Sequence, residues 1–99
     1  MTTFKELDPL LHSQLRLAVM SLLISRESAP FTYLREKTGS TAGNLSVQLD
    51  KLATAGYVRI EKSFKGKKPL TTVSITRDGI RAFEAYVATL RQYIDKKAP

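Results

Sequence analysis

The sequence predicts a mainly α-helical domain with one small β-hairpin, an α+β fold in the order helix, helix, helix, strand, loop, strand, helix. Three observations carry that prediction. Apolar residues recur at helical spacing through the first half of the chain. The period changes to strand-like alternation just after Gly56. A seven-residue apolar repeat then occupies the C-terminal end.

The 99 residues suit one small domain, read as 1–99, with no internal repeat and no low-complexity segment. An apolar content of 42% supports a real but modest core, so self-association would matter to stability.

Asp8-Pro9 reads as a helix start, because Asp can cap and Pro is tolerated in a first turn; the first helix is expected over 9–26. Leu11, Leu15, Ala18, Val19 and Leu22 share one face, while Leu10, Leu17 and Ile24 recur every seven residues on another. A helix with two apolar faces needs two partners: its own core and, on this reading, a second subunit. Glu27-Ser28-Ala29-Pro30 breaks the helix. Thr32 is the expected cap of a short helix over 32–38, stopped by Gly39. Ser40 and Thr41 offer the cap of a third helix over 41–55, with Leu45, Leu49 and Leu52 on one face and Gly56 at its end. Val58, Ile60 and Lys62 then alternate against Arg59, Glu61 and Ser63, and Val73 and Ile75 against Thr72 and Ser74. This makes 57–75 a hairpin around the loop Lys65-Gly66-Lys67-Lys68-Pro69. Thr76 caps a last helix over 77–96, where Ile80, Phe83, Val87, Leu90 and Ile94 form a seam flanked by Tyr86 and Tyr93. Phe83, Val87, Leu90 and Ile94 join Leu10, Leu17 and Ile24 as the candidate dimer surface.

Sixteen Lys and Arg against nine Asp and Glu give a net charge of +7, which points to a polyanionic partner: nucleic acid ahead of an anionic membrane surface. The absence of cysteine excludes disulfides, thiolate metal sites and thiol redox sensing, and fits a reducing cytoplasm. Met1 to Glu6 hold no signal core, and Leu15 to Ile24, broken by Arg16 and Ser21, are too short and too polar to span a bilayer. The lone His12 reads as structural or surface rather than as a metal ligand. No Gly-rich phosphate loop, nucleophile–base pair or supported carboxylate pair is present, so neither an enzyme nor a cofactor is expected.

A short helix and a longer one joined by about three residues make a helix-turn-helix candidate. The basic hairpin that follows at once, and the short polar outward face of the third helix, strengthen it. That face holds Gly43, Asn44, Ser46, Val47, Asp50, Lys51 and Thr54, with Gln48 at its edge. The turn Thr41-Ala42-Gly43-Asn44 has no long side chain, so its backbone can approach another surface and offer N–H groups to phosphate. Asn44 and Gln48 are the residue types that pair with adenine edges, and Val47 could touch a thymine methyl. The same side chains would also serve as a plain solvated face, which is the preferred reading for Asp50 and Thr54. Asp50 would repel phosphate and is expected to pair with a neighbouring cation. From Tyr57 to Arg77 the cations Arg59, Lys62, Lys65, Lys67, Lys68 and Arg77 face one anion, Glu61. Thr41, Asn44, Ser46, Val47 and Gln48 are thus expected toward bases or nearby phosphates; Ser40, Lys51, Lys65, Lys67 and Lys68 are expected to hold phosphates.

Gly43-Asn44-Leu45-Ser46, Leu49-Asp50-Lys51-Leu52, Ala55-Gly56-Tyr57-Val58, Phe64-Lys65-Gly66-Lys67-Lys68-Pro69, Thr71-Thr72, Ile75-Thr76 and Asp78-Gly79 together resemble a known family. It is that of the small stand-alone winged helix-turn-helix transcriptional regulators of bacteria and archaea, similar to the MarR and ArsR groups. The resemblance runs from Leu10 to Ile94. It implies a winged helix with an extra C-terminal dimerisation helix and a homodimer built from the first and last helices. It also implies double-stranded DNA as partner, with a recognition helix in each of two successive major grooves. Metal sensing is not carried over, since cysteine is absent, and no residue identifies a small-molecule effector. Two readings compete: a winged helix whose hairpin and last helix dock onto another protein, and a wing that binds RNA by shape. The lack of interleaved exposed aromatics argues against single-strand binding.

Overall fold

In the computed structural model, which describes residues 3–95, helices form where apolar side chains recur at helical spacing and strands where they alternate. The order is α1 (Gln14–Arg26), β1 (Ser28–Pro30), α2 (Phe31–Thr38), α3 (Ala42–Thr54), β2 (Val58–Lys65), β3 (Lys68–Ile75) and α4 (Arg77–Ile94). The sheet is antiparallel, in strand order β1-β3-β2. The expected α+β class holds. Val19, Met20 and Leu23 of α1, Leu34 of α2, Leu45, Leu49 and Leu52 of α3, and Tyr86 of α4 close over one core with Leu11, Ala29, Val58 and Val73. Each buried leucine contributes roughly 1.5–3 kcal/mol, so the leucine row of α3 anchors that helix and leaves its opposite face free.

Several boundaries differ from expectation for local reasons. α1 begins at Gln14, five residues after the start expected at 9. Asp8 instead caps a separate turn: its Oδ1 accepts from the Leu10 N–H at 2.9 Å, and its carbonyl accepts from Leu11 and His12. Ser13 is extended (φ −151°, ψ 129°) before the helix starts. This detour buries Leu11 completely. It also takes Leu10 off the helix, so the seven-residue spacing does not align it with Leu17 and Ile24. The fully buried face of α1 is Val19, Met20 and Leu23, while Leu15 and Leu22 stay at the edge of the core.

The segment read only as a helix break contains β1, which pairs Ser28 with Ser74, Ala29 with Val73 and Pro30 with Thr72. α2 begins at Phe31 with Pro30, not Thr32, at its N-cap. The hairpin loop is only Gly66-Lys67, since the strands run to Lys65 and resume at Lys68. Gly66 takes φ 66° and Lys67 does not have positive φ, the two-residue turn with glycine first that matches strand twist. The expected helix end at Lys96 lies outside the described residues.

One knot ties the ends of these elements together. Gly56 N–H donates to Ala53 and Tyr57 N–H to Leu52, which closes α3. Thr76 donates its hydroxyl to the Gly56 carbonyl at 2.6 Å and accepts from the Gly79 N–H at 3.0 Å. A Cβ on Gly79 would stand 2.1 Å from the Tyr57 carbonyl oxygen, so α4 seats here only because residue 79 is glycine. The Tyr57 hydroxyl donates to Asp8 Oδ2 at 2.7 Å. That bond, then burial and the charges of Asp8 and Asp78, push the phenol up to about 12. No helix among the described residues is long and apolar enough to cross a membrane.

Candidate nucleic-acid interface

The site is built on the N-terminal half of α3. Thr41 is the N-cap, and its Oγ1 accepts from the Asn44 N–H at 3.1 Å. Leu45 N–H already bonds the Thr41 carbonyl. The open donors are therefore the N–H groups of Ala42 and Gly43, at the positive end of the helix dipole. A Cβ on Gly43 would meet nothing within 4 Å. The fold thus does not require glycine here, although glycine within a helix costs roughly 0.5–1 kcal/mol relative to alanine. What its absence of side chain does provide is a flat surface beside two free N–H groups. Ser40 is less available than the sequence implied. Thr38 donates to the Leu34 carbonyl at 2.7 Å, so in the 2.9 Å contact between the two hydroxyls Ser40 is the donor.

Thr41, Gly43, Asn44, Ser46, Val47, Asp50, Lys51 and Thr54 are all exposed. Val47 is 52% exposed, which places an apolar side chain in the middle of this face. Gln48 differs: it is half-buried and engaged. Arg16 Nη1 donates to its Oε1, and its Nε2 donates to Asn44 Oδ1 at 3.1 Å. Asp50 forms no ion pair among the described residues; it lines a cleft of about 260 Å³ with Ser46, Ile60 and Lys62. The expected pairing with a cation is therefore not made.

In the wing, the register sets Lys65 opposite Lys68, and Lys67 lies in the turn between them. Like charges directly opposed across strands repel. None of the three lysines has an ion-pair partner among the described residues. Glu61 faces Thr72, back toward the body. The wing tip thus concentrates positive charge that a polyanion would offset. Two more residues of this region bear on the interface. Lys62 shares the cleft with Ser46 and Asp50, so its sheet face turns toward α3. Phe64, two residues on, lies on that same face opposite Pro69 and is 73% exposed. The alternation from Val58 through Ile60 already put both on the inner face; what it could not show is that the hairpin outruns the core. One exposed aromatic therefore does stand within the basic wing.

Leu10, expected in the dimer surface, sits instead beside α3, where it lines an open pocket of about 550 Å³ with Val47, Lys51 and Thr54. On the opposite side, Leu17, Phe83 and Leu90 lie at the edge of the core, whereas Ile24 and Val87 are not packed against it. Ile24, Phe83 and Val87 line an open groove of about 290 Å³ with Glu84, Ala88 and Arg91. Ile94 is 74% exposed. The most buried side chain of α4 is Tyr86 rather than a member of the seam. Its hydroxyl and His12 Nδ1 share a 2.9 Å hydrogen bond, which gives the lone histidine a structural contact.

Comparison with known proteins agrees with this architecture. The family profile described as "Winged helix DNA-binding domain" matches residues 15–94. It is a DNA-binding family and not an enzymatic one. An uncharacterized protein of Methanocaldococcus jannaschii is 36% identical over 81 residues, which cover 82% of this chain and 88% of that protein. A transcriptional regulator homologue from Pyrococcus horikoshii OT3 superposes with a TM-score of 0.82 at 30% identity, over 87% of this chain and 85% of its own. A MarR family transcriptional regulator from Silicibacter pomeroyi matches with a TM-score of 0.64 at 19% identity, over 91% of this chain and 62% of its own. That last likeness is one of fold.

Proposed function

The chain belongs to the winged helix DNA-binding domain family, and from that premise we propose that it is a homodimeric, sequence-specific regulator of transcription acting on double-stranded DNA in the cytoplasm. The observation that carries this reading is the pairing of a short-chained helix N-terminus with an unpaired lysine cluster at the wing tip. α3 enters the major groove with Thr41, Asn44, Ser46 and Val47 toward bases or adjacent phosphates and Gln48 at the edge. Ser40, Lys51, Lys65, Lys67 and Lys68 lie along the backbone or, for the wing, over the minor groove.

The whole of 1–99 works as one domain, and two copies join through α1 and α4. Leu17, Ile24, Phe83, Val87, Leu90 and Ile94 form the shared surface; Leu10, which lies beside α3, is left out of it. The support is the apolar set outside the monomer core: Ile24 and Val87, half-buried along the groove, and the exposed Ile94. A single copy would present one helix and one wing, enough only for weak and largely electrostatic binding. The test is Asn44→Ala against a site chosen by the wild-type protein. Discrimination at one base pair per half-site should fall by about 1–3 kcal/mol. Unchanged affinity and preference would rule out this use of α3.

A further inference from the structure

We infer that Arg16 is a positioning residue for base reading, acting through Gln48 on Asn44; the inference rests on the DNA-binding reading above. Arg16 is a half-buried residue of α1, distant in sequence from the proposed interface. Its Nε donates to the Leu10 carbonyl at 2.5 Å, and Nη1 donates to Gln48 Oε1. The Arg16 guanidinium fixes which end of the Gln48 amide turns toward it, so the nitrogen faces Asn44, and Nε2 donates to Asn44 Oδ1 at 3.1 Å. The Asn44 backbone N–H is itself held by Thr41 Oγ1.

The consequence is a fixed amide. A free Asn on an exposed face would sample both orientations and would have to be ordered on binding. Here Oδ1 is held on the Gln48 side, so the Nδ2 donors occupy the other branch, and Oδ1 keeps a second lone pair. Both groups that adenine recognition needs are therefore preset. A guanidinium with two prongs engaged is a rigid anchor, and lysine cannot reproduce that fork. Gln48, with its oxygen and one N–H engaged, is left as a link in the relay rather than a reader of bases.

The test compares wild type, Arg16→Lys, Arg16→Met and Gln48→Ala. Lysine keeps the charge, and methionine keeps the apolar stem. Two readouts are taken: the side-chain amide NMR signals of Asn44 and Gln48 without DNA, and the affinity ratio between the selected site and the same site changed at the base pair where Asn44→Ala acts. In both Arg16 variants the Asn44 and Gln48 signals should move toward those of disordered amides. The affinity ratio should fall by about tenfold, with the salt slope unchanged. Gln48→Ala should lose as much, and adding Arg16→Met to it should lose no more.

Unmoved amide signals overturn the inference whatever the DNA result. Undiminished discrimination, even with a lowered melting temperature, overturns it as well. So does affinity lost equally on all sequences with a salt slope shallower by about one per contact, the mark of a phosphate ligand. A wild-type protein that selects no site would instead defeat the DNA-binding reading, and the amide signals would then decide alone whether Arg16 orders Asn44.

Discussion

Gly43→Ala should make the free protein more stable and its complex with DNA weaker. A Cβ at this position meets nothing within 4 Å, and Gly43 lies inside α3 without a positive φ. The native backbone therefore accepts alanine without strain. Removing a helical glycine should add about 0.5–1 kcal/mol. For a domain of this size that raises the melting temperature by about 2–8 °C. The effect on binding has the opposite sign. If the Ala42 and Gly43 N–H groups lie against phosphate, a methyl group is forced into a closed surface. Overpacking of that kind costs about 1–3 kcal/mol, or roughly 5- to 150-fold in affinity. Gly43→Leu should widen both the clash and the loss. Thermal unfolding by circular dichroism and a fluorescence-anisotropy titration on the selected duplex measure the two arms. A lowered melting temperature would refute the reading of free space around Gly43. A stabilised variant that binds DNA as tightly as wild type would refute the close approach.

Other expectations follow from the same geometry. Lys67→Ala removes one phosphate contact from each wing, so in a dimer the slope of log K against log salt should flatten by about 1.8; an unchanged slope in a salt series would place Lys67 away from DNA. Gly79→Ala drives a Cβ to 2.1 Å from the Tyr57 carbonyl; it should destabilise the fold by about 3 kcal/mol or more in urea unfolding, and a loss under about 0.5 kcal/mol would show that the knot can yield. Tyr57 is held near 12 against an ordinary value of 10.0, so the folded state keeps this proton where the unfolded chain loses it. Its contribution is fully present below pH 10 and is lost as the pH rises from 10 toward 12. Wild type should therefore lose stability faster than Tyr57→Phe across that window, and parallel stability curves would contradict the assignment.

What was legible in the sequence was what repeats locally. Leu45, Leu49 and Leu52 bracketed by Thr41 and Gly56 specify α3 and its outward face, and alternation from Val58 to Ser63 specifies the wing. What was not legible depends on contacts distant in the chain. β1 is three residues long and ends in Pro30, so it shows neither alternation nor strand composition; it exists because Ala29 finds Val73 on the central strand. α1 starts later than Asp8-Pro9 suggests because that pair is a sound cap, but of a separate turn that buries Leu11. The α4 seam was visible as a repeat, yet its deepest side chain is Tyr86, set by contact with His12. The engagement of Gln48 was invisible because Arg16 lies 32 residues earlier.

The central claim is that two copies of this domain read one DNA site together. Selection of bound sequences from a random duplex pool tests it most directly. The account predicts enrichment of an inverted repeat whose half-sites are centred about one helical turn, 10–10.5 base pairs, apart. Enrichment of a single unrepeated half-site would contradict the dimer, and recovery of the pool without enrichment would contradict sequence-specific binding itself.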